Sequence, residues 1–318
     1  MIGLFLFNKP KNKTSRFIVN ELIKIYPQEK IGHGGTLDPL AEGLLIVAVG
    51  KDFTQKLEFF QKNVKKEYLV TIDFSFKSKT FDLEGPLEKI EVSKIPTKDE
   101  LALLITREFL GEIEQVPPLT SAKKIKGKRL YQYYRENKEI ETKPSKVILY
   151  EFQILDYNFP LLKLKMVVSS GFYVRSFARD LGEKLNLGNT ITQLIRTKQG
   201  PFDLESALSL EEFLNEKILL YGKIMGKVHG VGFRSFLFEM AKKFGISGWV
   251  RNVLPNAVEF SAIGYKEALE EFQKMALKGP IGAKISDKEF IIKKNTENFS
   301  GFDILPTEAA NLYSRFEI

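Results

Sequence analysis

The sequence predicts an α+β protein in two parts: a larger mixed-sheet part, then a smaller ferredoxin-like part of order βαββαβ. Three observations predict it. Apolar β-branched and aromatic runs alternate with amphipathic stretches along 318 residues, a length that suits one large domain and one small one. A glycine-rich loop, IGHGGTLDP, runs almost directly into an apolar strand, LLIVAVG. Beyond Leu210 the pattern changes to strand, helix, strand, strand, helix, strand, the split βαβ order. The boundary is expected at 215–220, giving parts 1–217 and 218–307 and a C-terminal tail, 308–318.

Residues 4–7 read as a buried first strand, and 67–74 (EYLVTIDF) as another. Between them, Thr14 or Ser15 caps a helix over 13–27 that turns Phe17, Val19, Leu22 and Ile23 inward. An amphipathic helix follows over 98–110. Two strands are expected over 147–168 around a turn at Asn158–Pro160, then a helix from near Val174 that stops at Gly188. In the second part a strand over 221–229 enters a glycine-rich turn and a helix over 235–244. Strands over 247–253 and 257–264 are joined at Pro255–Asn256. A helix over 266–277 ends at Gly279–Pro280, and strands come near 284–292 and 302–306.

Composition narrows the chemistry. With 43% hydrophobic and 28% charged residues the chain reads as globular. Its start, MIGLFLFNKPKNK, is apolar before it is basic, the reverse of a secretory leader. A cytoplasmic protein with no membrane partner is therefore expected, and a monomer is the expected state although the sequence itself does not disclose it. Cysteine is absent and histidine occurs only at His33 and His229, which excludes disulfides, thiolate metal sites and a cysteine nucleophile. No metal and no cofactor are expected. Residues 221–318 hold 14 basic and 11 acidic residues, leaving 34 and 29 before them, so both parts are mildly basic, which suits a polyanionic partner.

Taken alone, GGTLDPL is a turn, since glycines permit unusual backbone angles and Asp before Pro favours turn initiation. Gly34 and Gly35 make no phosphate loop, because no Gly-Lys-Ser/Thr follows. The run Gly32-His33-Gly34-Gly35-Thr36-Leu37-Asp38-Pro39-Leu40-Ala41-Glu42-Gly43-Leu44-Leu45 nevertheless resembles, almost without a gap, the signature of the TruB family of tRNA pseudouridine synthases. Further segments fall in that family's order over residues 1–210: Asn8-Lys9-Pro10 with Lys13-Thr14-Ser15, where Asn12 stands at a family glycine; Lys66-Glu67-Tyr68; Thr80, Asp82, Glu84 and Gly85; Gln115-Val116-Pro117-Pro118 with Ser121 and Lys124; Gly171-Phe172-Tyr173-Val174-Arg175; and Leu194-Ile195-Arg196-Thr197.

The resemblance implies isomerisation of uridine-55 in the T-arm of tRNA. The N1–C1′ bond breaks, the uracil turns and rejoins through C5, with one carboxylate and no cofactor. It assigns that carboxylate to Asp38, a nucleophile on ribose C1′ or uracil C6. The target base must be flipped out and held by stacking. Tyr68 is the stacking candidate and Arg175 the partner that keeps Asp38 ionised and aimed. His33 is expected to fill the vacated space or touch RNA, Tyr173 and Leu194 to wall the pocket, and Lys9, Lys124 and Arg196 to contact phosphates. The lysine-rich 115–146 segment, with Tyr131, Tyr133 and Tyr134, is expected to clamp RNA.

In the second part, Gly226-Lys227-Val228-His229-Gly230-Val231-Gly232-Phe233-Arg234 and Gly248-Trp249-Val250-Arg251-Asn252 resemble acylphosphatase, with His229 at a usual glutamine. Gly230 and Gly232 before a helix can aim several N–H groups at one anion. Arg234 would pair with phosphoryl oxygens, and Asn252 would orient an attacking water. An acyl phosphate or other small phosphorylated ligand is the implied substrate. A non-catalytic RNA- or phosphate-binding or packing module is the alternative for this part, and a tRNA-binding chaperone the alternative for the whole chain.

Overall fold

The computed structural model describes residues 1–121, 124, 125, 127–136, 140 and 142–309. Strand β1 (Gly3–Lys9) is buried over its apolar run. Helix α1 (Ser15–Ile25) is N-capped by Thr14, whose side chain accepts from the Phe17 N–H. It buries Ser15, Ile18, Val19 and Leu22, so Ile18 takes the inward place expected of Phe17. A short strand β2 (Ile31–His33), the loop 34–41 and the buried strand β3 (Glu42–Val49) follow. Then comes helix α2 (Lys51–Lys62), which the sequence reading missed although Phe53, Leu57 and Phe60 form a buried i, i+4, i+7 stripe.

Strand β4 (Lys66–Asp73) alternates buried and half-buried residues. After it come the hairpin β5 (Phe76–Ser78) and β6 (Leu87–Lys89), helix α3 (Lys98–Glu108) with a Thr97–Glu100 capping box, and β7 (Gly111–Gln115). The 115–146 segment contributes a small hairpin, β8 (Lys124–Ile125) with β9 (Lys128–Arg129), and helix α4 (Leu130–Arg135). Long strands β10 (Ser145–Asn158) and β11 (Leu161–Val168) lead to helix α5 (Val174–Leu185). That helix stops at a left-handed Asn186, two residues short of Gly188. Strand β12 (Thr190–Gln199), the short β13 (Phe202–Asp203) and helix α6 (Leu210–Asn215) complete the first part.

The second part is β14 (Ile218–Lys227), α7 (Phe233–Phe244), β15 (Ser247–Val253), β16 (Ala257–Gly264), α8 (Lys266–Lys278), β17 (Lys284–Lys293) and β18 (Phe302–Ile304). Strand order β15-β16-β14-β17 with two covering helices is the ferredoxin-like arrangement. Among the described residues no helix is long and apolar enough to cross a membrane.

The two parts share one sheet, which the sequence gives no sign of. Fourteen strands join in the path β18-β15-β16-β14-β17-β1-β3-β12-β4-β11-β10-β7, with β13 and β2 at its sides. The seam is β17 against β1, parallel, with Leu4 level with Ile291. Side chains fasten it: Gln273 accepts from Ile2 N–H at 2.9 Å and donates to Ile2 C=O at 2.8 Å, and Tyr26 donates to Glu270 at 2.7 Å. Gly3 sits at the tightest point, where an added Cβ would lie 2.8 Å from Phe290 O. Gly3→Val is thus expected to cost about 1–3 kcal/mol by overpacking and to lower the melting temperature. An unchanged melt would mean that the seam does not form in solution.

Candidate active site

The loop between β2 and β3 is held from below by side chains of three other elements. Ser15 Oγ, at the start of α1, accepts from Leu37 N–H at 2.8 Å and donates to Leu37 C=O at 3.1 Å. Lys9 Nζ donates to the carbonyls of Pro10, Lys13 and Pro39 at 2.8, 2.5 and 3.3 Å. Arg196 donates from Nε to Leu44 O at 2.7 Å and from Nη2 to Gly35 O at 3.1 Å. Gly43 lets β3 lie close beside its parallel neighbour β12 here: its φ is +106°, and a Cβ would lie 2.4 Å from Arg196 O. The result fixes Leu37 and Pro39, the neighbours of Asp38 on either side.

Asp38 faces Arg175, which stands in the first turn of α5. Arg175 Nη2 and Nε each approach one Asp38 oxygen at 2.9 Å, a bidentate fork. The rest of the guanidinium is also engaged. Its Nη1 donates to Thr120 Oγ1 at 2.5 Å and lies 3.4 Å from Asp82 Oδ2. Asp82 is itself oriented by Thr80 Oγ1 at 2.5 Å and by Glu84 N–H at 3.0 Å. Burial pushes the Asp38 carboxyl above its ordinary value; Arg175 pulls it down and the Asp82 charge pushes it further up.

Above this pair is a cavity of about 620 Å³, lined by His33, Asp38, Lys66, Tyr68, Tyr173 and Leu194 among others. That volume lies in the range of small-ligand sites. Tyr68, 8% exposed, comes from β4. Tyr173 N-caps α5 and is clamped by Gln115, which accepts from its N–H at 2.9 Å; burial raises its phenol. A third of the Asp38 side chain is open to the cavity.

The second part builds its own turn at the far end of the shared sheet. Gly230 and Gly232 have φ of +72° and +70°, and Gly232 precedes α7, whose first turn carries the half-buried Arg234. Asn252 lies on β15 level with Val258, which pairs with Ile224 of β14, so it stands at the same sheet end as this turn. His229 fastens the turn to that end through Nε2 and Ala257 O, 2.7 Å apart. Strand β14 runs antiparallel to β17, and β17 parallel to β1. Its C-terminal end therefore points away from the Lys9 end of β1, where Asp38 sits. From the register, the two sites are on the order of 30 Å apart along the strands.

Comparison with known proteins identifies the larger part. The chain is 40% identical over 213 residues to tRNA pseudouridine synthase B of Phocaeicola vulgatus, spanning 65% of this chain and 89% of that one. This chain belongs to the TruB family. The model of the TruB family pseudouridylate synthase N-terminal domain matches residues 23–174, and the acylphosphatase model matches 220–304. The tRNA pseudouridine synthase B of Caldanaerobacter subterraneus is 40% identical over 218 residues, covering 68% of this chain and 75% of that one. A solved Cbf5–Nop10–Gar1 complex aligns with a TM-score of 0.52 and 26% identity over 67% of this chain and 53% of its own. The chain is thus a pseudouridine synthase, an isomerase by class, joined to an acylphosphatase-type domain.

Within this TruB chain, Asp38, Arg175, Tyr68, His33, Tyr173 and Leu194 meet at one cavity. Two of the residues expected to contact phosphate are turned to carbonyls in this structure. Lys9 is 0% and Arg196 1% exposed; Lys9 donates to three carbonyls, and Arg196, which also borders the cavity, donates from Nε and Nη2 to two. They brace the site from inside the core. Lys124 falls on β8, and its side chain, with those of Tyr131 and Tyr134, lies outside the described residues. Asn12, at the family glycine, has φ +63°, a conformation that Asn tolerates well among non-glycine residues. The sequence reading missed the work of Ser15 and Asp82. Asp82 lay in a matched segment, but its role requires knowing that Arg175 reaches it.

Proposed function

We propose that this chain converts uridine-55 in the T-arm of tRNA to pseudouridine, with residues 1–217 as the catalytic part and Asp38 as nucleophile. The observation that carries the reading is the Asp38–Arg175 fork at the floor of a nucleotide-sized cavity under Tyr68. The relatives reported above carry the name of this activity. The target base leaves its stack at a cost of a few kcal/mol and packs against Tyr68. Along one route an Asp38 oxygen bonds to C1′ as the N1–C1′ electron pair leaves with the uracil. The base turns, C5 attacks C1′ and expels Asp38, and the C5 proton is transferred to N1. Along the other route, Asp38 adds to C6. Arg175 serves both by fixing the direction of the attacking oxygen. Mapping pseudouridine in unmodified tRNA after incubation with the protein is the test. Modification at position 55 is the expected result, and its absence with the wild-type protein overturns the reading.

For residues 218–307 we propose acyl phosphate hydrolysis. The glycine turn before α7, Arg234 and Asn252 share one end of the sheet, which supports an anion site there. The opposed direction of β14 favours a separate small-molecule site over an extension of the RNA surface. Acetyl phosphate hydrolysis is expected, with Arg234→Ala lowering it by about 100-fold or more through loss of a phosphoryl partner. Absence of wild-type turnover would leave the domain as a binding or packing module.

A further inference from the structure

Besides Arg175, which is paired with Asp38, three buried cations stand around the uridine cavity among the described residues, and the fold accounts for two of them. Lys9 has three carbonyl partners and the nearby charges of Asp38 and Glu42. Arg196 is shared between Leu44 O and Gly35 O. The third, Lys66, is 9% exposed and lines the cavity. Its Nζ has one long hydrogen bond, 3.4 Å to Gln61 O, and forms no ion pair among the described residues. Burial and the Arg196 charge lower its pKa to about 8. A buried ammonium without a counter-charge is costly, so its position calls for an anion that arrives from outside.

The surroundings say which anion. Lys66 and Tyr68 are two apart on β4 and project from the same face, about 7 Å apart along the strand. The Lys66 end of the cavity is bounded by the C-terminal turn of α2, where Gln61 donates to His33 O at 3.0 Å. Gln61 and His33 line the cavity together with Lys66. We propose that Lys66 Nζ is a phosphate site built into the cavity wall, taking the backbone phosphate of the flipped uridine or of its immediate neighbour. The inference rests on the pseudouridine synthase reading and deepens it. Lys66 is then a positioning residue: the phosphate it holds sets the depth at which the base meets Tyr68.

The test uses the full chain and an unmodified T-arm stem-loop, with wild-type pseudouridine formation on that RNA as the first measurement. If the wild type forms none, the underlying reading fails whatever Lys66 does. If it forms pseudouridine, Kd is measured over a salt series for wild type, Lys66→Gln and Lys66→Arg. Lys66→Gln is expected to weaken binding about ten-fold at low salt and to reduce the slope of log Kd against log salt by about 0.7, one phosphate contact to a single strand. Lys66→Arg is expected to keep the slope. The loss should fall on Kd more than on the single-turnover rate at saturating RNA. An unchanged slope overturns the proposal. So does a loss confined to the rate, which would put Lys66 against a uracil oxygen. A second measurement needs no variant to fold. Wild-type protein is titrated with stem-loops carrying one neutral methylphosphonate, beside 2′-O-methyl ribose, at each phosphate flanking the target. One of them should reproduce the lost slope and show no further loss with Lys66→Gln; if none weakens binding, the phosphate site does not exist.

Discussion

Asp38→Asn is expected to abolish pseudouridine formation, lowering the single-turnover rate on the order of 10⁴-fold or more, as removal of a nucleophile does elsewhere. The substitution is close to isosteric, so the fork to Arg175 loses charge before it loses shape. One amide oxygen can still accept from Arg175 Nη2, where the carboxylate does so at 2.9 Å. The loop around it rests on Ser15, Lys9 and Arg196, which bond to Leu37, Pro39 and Gly35 and not to Asp38 itself. Folding and RNA binding should therefore survive while the chemistry does not. A melt within a few degrees of wild type and a similar Kd for the T-arm would place the loss in the bond-making step. Measurable single-turnover conversion by the variant would sink the assignment of Asp38.

The sequence made the local pieces of this molecule legible. Strands 247–253 and 257–264 fall where alternation and Pro255–Asn256 put them, and Val174 does begin a helix. Helix α2 was lost because its three-residue apolar stripe follows an apolar strand with one glycine between, and a strand period hides the change to a helical one. What sequence could not supply was long-range. The pairing of β1 with β17 joins residues nearly the whole chain apart, and nothing in GLFLFNK says which strand lies beside it. Nor does hydropathy distinguish a lysine facing phosphate from one buried among carbonyls. Lys9 and Lys66 both look like surface charge, one closes a loop, and the other is left facing a cavity. Asp82 is the same lesson in the opposite sign. Its carboxylate reads as part of a turn and becomes electrostatically important only because Arg175 reaches it from α5.

Arg175→Met follows from that geometry and moves activity and stability in opposite directions with pH. The guanidinium lies between Asp38 and Asp82, with Arg175 and Asp82 only 4% and 3% exposed. Burial already raises the Asp38 carboxyl, and Arg175 is the largest influence opposing it. Without the arginine, the Asp82 charge and burial act together, so Asp38 rises further and less of it is ionised at neutral pH. The rate at pH 7 should fall by about 10²–10³-fold, and the acid limb of the single-turnover profile should move to higher pH, with part of the loss recovered as pH rises. Stability runs the other way. A folded-state carboxyl raised above its unfolded value contributes stability that is complete below the unfolded value and is lost as pH rises through the folded one. The variant should therefore melt lower as pH increases across the range in which its activity recovers. Breaking a buried pair costs about 3–5 kcal/mol, so the difference from wild type is large enough to read in a melt. Arg175→Lys should restore only part of either property, since one ammonium cannot span both Asp38 oxygens and still reach Asp82 and Thr120. If the acid limb stays in place in Arg175→Met, the arginine orients Asp38 without setting its charge.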